Sequence, residues 1–329
     1  MSDEGKSLNQ IIEFRKEKLE KLISKGINPY PPSFNPTHHS SEIVSNYESL
    51  EKNSVCVSGR IISIRRMGKA SFFNIQDSLG KLQIFIKKDE VGDSAYEIFQ
   101  LMDIGDFVGV DGIVFKTKVG EVSVKASKLS VLCKSIRPLP IVKEKEDEVY
   151  DAFSGKEQRY RNRHLDLIVN PEVRKTFVKR SQIIKSIRAF LDELGFLEVE
   201  TPVLQPIYGG ANARPFTTHH NALNQKFYLR IADELYLKRL IIGGIDRVYE
   251  FAKDFRNEGM DRNHNPEFTM LEFYWAYADY EDNMNLVEKM IRAAAKDIGA
   301  ENLNWNNEDI DLSKDFKRIP FFEIINENI

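Results

Sequence analysis

Charged side chains crowd one short stretch of the chain, from Phe255 to Glu272. It runs through Arg256, Asn257, Glu258 and Gly259, then a polar loop with Arg262 and His264, then Asn265, Pro266, Glu267, Phe268 and on to Glu272. The pattern reads strand, loop, strand, which projects Arg256, Glu258 and Glu272 into one shared space. A single Arg and Glu on a strand ordinarily form a surface ion pair. Several charges on adjoining strands, flanked by a loop with His and Arg, point to a site. A guanidinium offers a planar fork for phosphate or carboxylate oxygens.

A second candidate lies near the N-terminus. Residues 58–88 hold seven basic residues (Arg60, Arg65, Arg66, Lys69, Lys81, Lys87, Lys88) against one acid, Asp77. Period two sorts the side chains here. Phe73, Ile75, Leu82, Ile84 and Ile86 fall on one face; Phe72, Asn74, Gln83, Phe85 and Lys87 fall on the other. Rings offer stacking surface to unstacked bases, and amides offer hydrogen bonds. The basic excess tips this face toward nucleic acid, although the chain as a whole carries only −3.

The elements that position these residues can be read from periodicity. A helix is predicted over 7–25, with Leu8, Ile11, Ile12, Leu19, Leu22 and Ile23 on one stripe. Arg15, Lys16, Lys18, Lys21 and Lys25 are expected largely outside that stripe, a solvated face or a flank for a polyanion. Strands are predicted at 54–65, 71–77, 81–87, 106–116 and 121–132, with a short helix at 94–103. Three strands, a helix and two strands is the order of an OB-fold barrel. Arg137-Pro138-Leu139-Pro140 and the mixed charge run 143–148 read as a solvated connector. A long helix at 171–194 carries Phe177, Ile183, Ile184, Ile187, Phe190, Leu191 and Leu194 as its stripe, and Gly195 ends it. A short strand at 196–199, strands at 226–231, 247–254 and 268–274, and helices at 233–242 and 280–298 suit an α+β domain on an antiparallel sheet. No Gly-rich strand-to-helix turn of the dinucleotide type is present in the sequence.

The 329 residues divide into roughly two domains. With 42% apolar and 29% charged residues, the composition is that of a globular protein. No apolar run is long enough to span a bilayer. Met1-Ser2-Asp3-Glu4 lacks the pattern of a secretion signal. Cys56 and Cys133 alone make neither a disulfide framework nor a zinc site, and are read as reduced thiols in packed strands. The chain is accordingly expected in the cytosol, with no membrane partner.

The stretch Phe255–Glu272 resembles the second signature motif of class II aminoacyl-tRNA synthetases. Further segments narrow the resemblance to the lysyl-tRNA synthetase family: Gly209–Phe216, Thr218–Ala222, Tyr228–Ala232, Glu234–Leu240, and Met67–Phe72 in the barrel. Together they cover essentially the whole chain from the first helix onward. The resemblance implies an N-terminal all-β OB-fold barrel that binds the anticodon. An α+β class II catalytic domain on an antiparallel sheet follows, incomplete in this chain. The expected divisions are 1–53 (helix and lead-in), 54–135 (barrel), 136–170 (linker) and 171–329 (partial catalytic domain). Residues 171–202 resemble the first class II motif, which implies a homodimer.

The implied activity is lysine–tRNA ligation with ATP and Mg2+: lysine is activated as lysyl-adenylate, then passed to tRNA(Lys). No protein nucleophile is needed, so catalysis is positioning and charge stabilisation. By resemblance, Arg256 bridges the reacting anions, Glu258 helps hold the nucleotide and its magnesium, and His264 reaches the terminal phosphate. Asn265 lies at the adenine and Phe268 stacks on it. Gly210 and Glu234 take the α-amino group of L-lysine; Glu272 and Tyr274 take the side-chain end. In the barrel, Arg65, Phe72, Gln83 and Glu121 are implied to read the anticodon, with the basic helix at 7–25 on the tRNA backbone.

The family's third motif, a glycine-rich segment with an arginine, is missing, as are the acids that hold most of the magnesium. Gly243-Gly244-Ile245-Asp246-Arg247 is superficially similar but precedes the second motif. This predicts poor or no adenylation by the chain alone. A tRNA-binding fragment without catalysis is therefore one alternative. An aspartyl- or asparaginyl-type synthetase is another, though an anionic substrate would want Lys or Arg where Glu234 and Glu272 stand.

Overall fold

Alternating apolar residues in the first half of the chain close into a barrel in the computed structural model, which describes residues 7–140, 143–145, 148–150 and 153–326. The first four residues, read above for a secretion signal, lie outside the described part. The chain divides into two compact units, Met1–Val169 and Asn170–Ile329.

In the first unit, helix α1 (Leu8–Ser24) begins at Ser7, whose hydroxyl accepts from the Gln10 amide while the Gln10 side chain accepts from the Ser7 amide. Short helices α2 (Ser40–Ser45) and α3 (Tyr47–Leu50) lead to β1 (Ser54–Met67), β2 (Ala70–Gln76) and β3 (Lys81–Lys87). Helices α4 (Lys88–Val91) and α5 (Asp93–Gln100) follow, then β4 (Phe107–Lys116) and β5 (Val122–Cys133). The strands form a closed barrel in the order β1-β2-β3-β5-β4, antiparallel except where β3 meets β5. Its core holds Phe73, Ile75, Leu82, Ile84 and Ile86, the face assigned to the interior by period two. Closure leaves no unpaired edge. Asp77 shapes the β2–β3 turn by accepting from the Leu79 and Gly80 amides. Cys56 and Cys133 are free and half-buried.

The reading of α1 needs correction. Its buried side includes Arg15 and Lys18 along with Ile11 and Leu22, while Leu8 and Ile23 are exposed. Arg15 donates to the Ser135 and Arg137 carbonyls, and Lys18 donates to Asp103. These two cations hold the helix to the barrel and are not available to a polyanion. Part of the basic patch is also structural: Arg60 donates to the Gly105 carbonyl and lies over the Phe107 ring, and Arg66 donates to the Met102 carbonyl.

The connector is more ordered than its composition suggested. It contains the short antiparallel pair β6 (Lys143–Lys145) and β7 (Glu148–Tyr150), then α6 (Lys156–Arg161) and α7 (Arg163–Val169). Residues 146–147 of the charge run lie outside the described residues. Asp166 is fully buried and accepts from Arg159 and Arg163, so these charges fold the segment instead of solvating it.

The second unit opens with α8 (Pro171–Glu193), which has proline at its start and Gly195 at φ +77° just past its end. There follow β8 (Leu197–Glu198), β9 (Leu204–Gln205), β10 (Thr217–His220), β11 (Gln225–Leu229), α9 (Glu234–Ile242), β12 (Arg247–Phe255), β13 (Glu267–Trp275) and α10 (Tyr280–Asp297). The strand pair β14 (Asn302–Trp305) and β15 (Glu308–Asp311), then α11 (Phe321–Asn326), complete it. β12 and β13 pair antiparallel, with β8 as a short parallel edge; β10, β11 and β9 form a separate antiparallel sheet. One face of the β12–β13 pair is apolar. Tyr249, Phe251, Leu271, Phe273 and Trp275 pack with Ile187, Phe190 and Leu191 of α8 and Leu286 and Met290 of α10. No helix among the described residues is long and apolar enough to cross a membrane.

Candidate functional site

Because side chains alternate across a strand, packing odd-numbered residues of β12–β13 on the helices leaves the even-numbered ones on the opposite face. Register pairs Val248 with Tyr274, Glu250 with Glu272, Ala252 with Met270 and Asp254 with Phe268. Phe268, Glu272 and Tyr274, three of the expected site residues, thus share one face with Glu250 and Asp254.

Arg256 and Glu258 lie just past the end of β12, not on the strand as expected. The Arg256 amide donates to the Pro266 carbonyl, closing the base of the loop. Its guanidinium lies 5.1 Å from the Phe268 ring centre and donates to the Ile231 carbonyl through Nε and Nη2, each at 3.4 Å. Those contacts are long, so the fork is aimed but not saturated. Glu258 is exposed and accepts from the Arg214 amide at 3.2 Å. His264 and Asn265 sit on the exposed loop, where the His264 ring bonds Asp261.

The segment from Arg230 to Glu234 crosses the polar face. The Asp233 amide donates to Glu272 at 3.3 Å, and the Tyr274 hydroxyl donates to the other Glu272 oxygen at 3.3 Å. Burial, then the charges of Glu272 and Glu234, push the Tyr274 phenol upward, keeping it a donor. Glu234 begins α9 and accepts from Lys238 at 2.6 Å, so the ordinary helix ion pair is present at this position. Gly210 stands against it: at φ +88°, a Cβ on Gly210 would lie 2.9 Å from the Glu234 Cβ. Gly210, Glu234, Glu272, Tyr274, Arg256 and Phe268 are therefore linked through this one segment.

The sequence reading missed what lies beneath. Arg230 is almost fully buried; it donates to Glu250 at 2.6 Å and approaches Asp233 at 3.2 Å and Asp254 at 3.5 Å. Asp233 and Asp254 are fully buried, and their oxygens with one from Glu272 lie within 4.8 Å of one another, close enough to converge on one cationic group. Burial, then the charge of Asp254, pushes Asp233 up to about 8. Burial pushes Asp254 up to about 6 against the pull of Arg230. The signal was present in the series Val248, Glu250, Ala252, Asp254, where two acids share the strand face opposite the apolar one.

In the barrel, Arg65 lies opposite Phe72, Phe72 opposite Phe85, and Gln83 opposite both Asn74 and Ser123. The Phe72 and Phe85 rings are 4.9 Å apart and Phe115 is 6.1 Å from Phe85, forming an aromatic strip that the expected set only began. The Ser123 hydroxyl donates to the Gln83 side-chain oxygen at 2.9 Å, which directs the amide's NH2 end elsewhere. Glu121 is exposed in the β4–β5 turn.

The two units thus present an aromatic and polar barrel face and a polar sheet face with an arginine at its edge. The family described as tRNA synthetases class II (D, K and N) matches residues 155–328, and the OB-fold nucleic acid binding domain matches 55–132. The chain belongs to the class II tRNA synthetases of this D, K and N group. It is similar to the lysine–tRNA ligase of Carboxydothermus hydrogenoformans, 51% identical over 325 residues covering 98% of this chain and 65% of that protein. The lysine–tRNA ligase of Pelotomaculum thermopropionicum is 50% identical over 98% of this chain and 63% of its own length, and that of Bacillus subtilis 47% over 97% and 64%. The chain spans about two thirds of the length of the curated relatives it matches.

Proposed function

We propose that this chain is the anticodon-reading and lysine-activating part of a cytosolic lysine–tRNA ligase. The observation that carries the reading is the polar face of β12–β13, where Phe268, Glu272 and Tyr274 align beneath Arg256 and the start of α9. The names of the relatives favour lysine among the three amino acids of the group.

The lysine carboxylate attacks the α-phosphate of ATP, lysyl-adenylate forms and pyrophosphate leaves. The lysyl group then passes to a ribose hydroxyl at the tRNA terminus, releasing AMP. Arg256 holds the carboxylate and the α-phosphate together, so two anions that repel in water are already in place. Phe268 supports the adenine and Asn265 meets its edge. His264, on its exposed loop, reaches the terminal phosphate. Magnesium, bound with the nucleotide, supplies neutralisation of phosphate charge. Glu258 fits a share of that task, being an exposed carboxylate with one backbone amide on one of its oxygens. Glu234 and the backbone at Gly210 receive the α-ammonium, and Glu272 with Tyr274 receives the side-chain ammonium. An aspartate side chain would meet the charge of Glu272 above Asp233 and Asp254, which disfavours the aspartyl reading. Exposed apolar residues Phe177 and Val178 on α8 and Leu197 on β8 support pairing of two copies through 171–202.

A non-hydrolysable lysyl-adenylate analogue tests the assignment without requiring turnover. It is expected to bind this chain at least about 100-fold tighter than the aspartyl analogue. Equal affinities would remove lysine as the substrate; tRNA binding with no analogue binding would leave the fragment reading.

The barrel face makes its own prediction. Phe72→Ala should weaken binding of tRNA(Lys) by about 1–3 kcal/mol in a filter assay, since one stacking platform is lost. An unchanged affinity would take base recognition away from the Phe72–Phe85 strip.

A further inference from the structure

The buried acids Asp233 and Asp254 have no place in the roles above, yet they lie directly behind Glu272. Both side chains are fully buried, and none of their four oxygens accepts a hydrogen bond. Arg230 is near both, but its short bond goes to Glu250. Two ionised carboxylates without donors in a buried site are strongly unfavourable. A single proton between them converts one into a donor and the other into its acceptor.

We propose that Asp233 and Asp254 share one proton beneath the lysine site and that the side-chain ammonium of lysine displaces it, coupling lysine recognition to proton release. The proposal rests on the lysine–tRNA ligase reading for the position of that ammonium. The proton and the ammonium draw on the same pool of negative charge. Facing the pair are Arg230 just past β11, Glu250 from β12, Arg256 from the loop after it, and Glu272 and Tyr274 from β13; Glu234 at the start of α9 faces Tyr274 and is paired with Lys238. Counting Asp233 and Asp254 with Glu250 and Glu272, four carboxylates face two guanidiniums, so an arriving cation lowers the pair's hold on its proton. The upward shifts of both aspartates place the exchange near neutrality.

The sign follows from linkage. Below neutrality the pair keeps its proton and the ammonium must bind against it; at higher pH the proton has already left. Lysine affinity therefore rises with pH, and lysine binding releases protons at intermediate pH. The coupling would let a neutral side chain gain nothing from the acids, since it cannot displace the proton.

Titration calorimetry of the 329-residue chain with L-lysine reads this directly. Between pH 6 and pH 8 the dissociation constant should fall by about 3- to 10-fold, and at pH 7 the heats in phosphate and Tris should differ by about half a proton per lysine. Asp254→Asn keeps the shape and a donor toward Asp233, imitating the protonated pair. It should match the wild-type affinity at pH 6, lack the gain at pH 8 and release no proton. Asp233→Asn serves as the second variant and should behave alike. Lysine binding with a flat pH profile and buffer-independent heats would overturn the coupling while leaving the ligase reading intact. A variant that keeps the wild-type profile would do the same. A wild-type chain that binds no lysine at any pH overturns the ligase reading and the coupling with it.

Discussion

Replacing Lys134 with methionine is expected to destabilise the barrel unit by about 3–5 kcal/mol. Its ammonium is fully buried and reaches Asp103 at 2.6 Å and Asp106 at 2.8 Å. Asp103 keeps a second cation, Lys18. Asp106 keeps the Asp103 and Ser135 amides but has no other cation in contact among the described residues. Methionine fills the volume and strands a buried charge, which is the costly half of breaking such a pair. Burial already holds Asp106 above the ordinary aspartate range against the pull of Lys134. Without Lys134 the rise is larger, so the folded variant takes up a proton where the unfolded chain does not. Its deficit should therefore shrink as pH falls from 7 toward 5. Adding Asp106→Asn should recover much of the loss at pH 7. Urea unfolding followed by circular dichroism reads the barrel, while both tryptophans, Trp275 and Trp305, report the other unit. A loss under about 1 kcal/mol at pH 7 would show that the amides alone satisfy Asp106.

How far the sequence carried differs by element. The barrel strands were legible because each exposes one face and buries the other, so period two identifies both the strand and its interior. The same periodicity put Phe72, Gln83 and Phe85 on one side, and the structure keeps them there. Helix α8 was legible from its apolar stripe, and helices were expected close to where α9 and α10 lie. Helices α2 and α3, of six and four residues, are too short for a stripe to form. Helix α6 is charged all round, and so it read as connector. Arg15 and Lys18 were misplaced for a related reason: the partners that permit their burial lie more than eighty residues away in sequence. Several residues that the resemblance named, Phe268, Glu272 and Tyr274 among them, do fall on one sheet face, whereas what long-range pairing brings together was opaque. Asp233 and Asp254 are twenty-one positions apart, and only the crossing of the α9 lead-in over β12 makes them neighbours. Arg256 was expected on a strand but sits beyond its end, where the chain is freer to present the guanidinium outward.

That placement underlies the second large effect. Arg256→Gln is expected to weaken binding of the lysyl-adenylate analogue by about 10²- to 10³-fold, the loss typical of a charged donor aimed at a phosphate-borne charge. The guanidinium is held from one side by Phe268 and by long bonds to the Ile231 carbonyl, so most of its donor capacity is free for a ligand. Glutamine can reach the carbonyl but brings no charge and no fork. Arg256→Lys should recover only part of the affinity, because an ammonium meets the two anions as a point and cannot hold both in a plane. In the proposed arrangement free lysine would meet the arginine only through its carboxylate, so its affinity should fall less than that of the analogue. This contrast separates the bridging role from a general loss of structure. Half-buried Arg256 carries no ion pair at salt-bridge distance among the described residues, so unfolding stability should change by less than about 1 kcal/mol. Analogue affinity within tenfold of wild type for Arg256→Gln would sink the bridging assignment. Equal losses for analogue and lysine would instead make Arg256 a support for the lysine pocket.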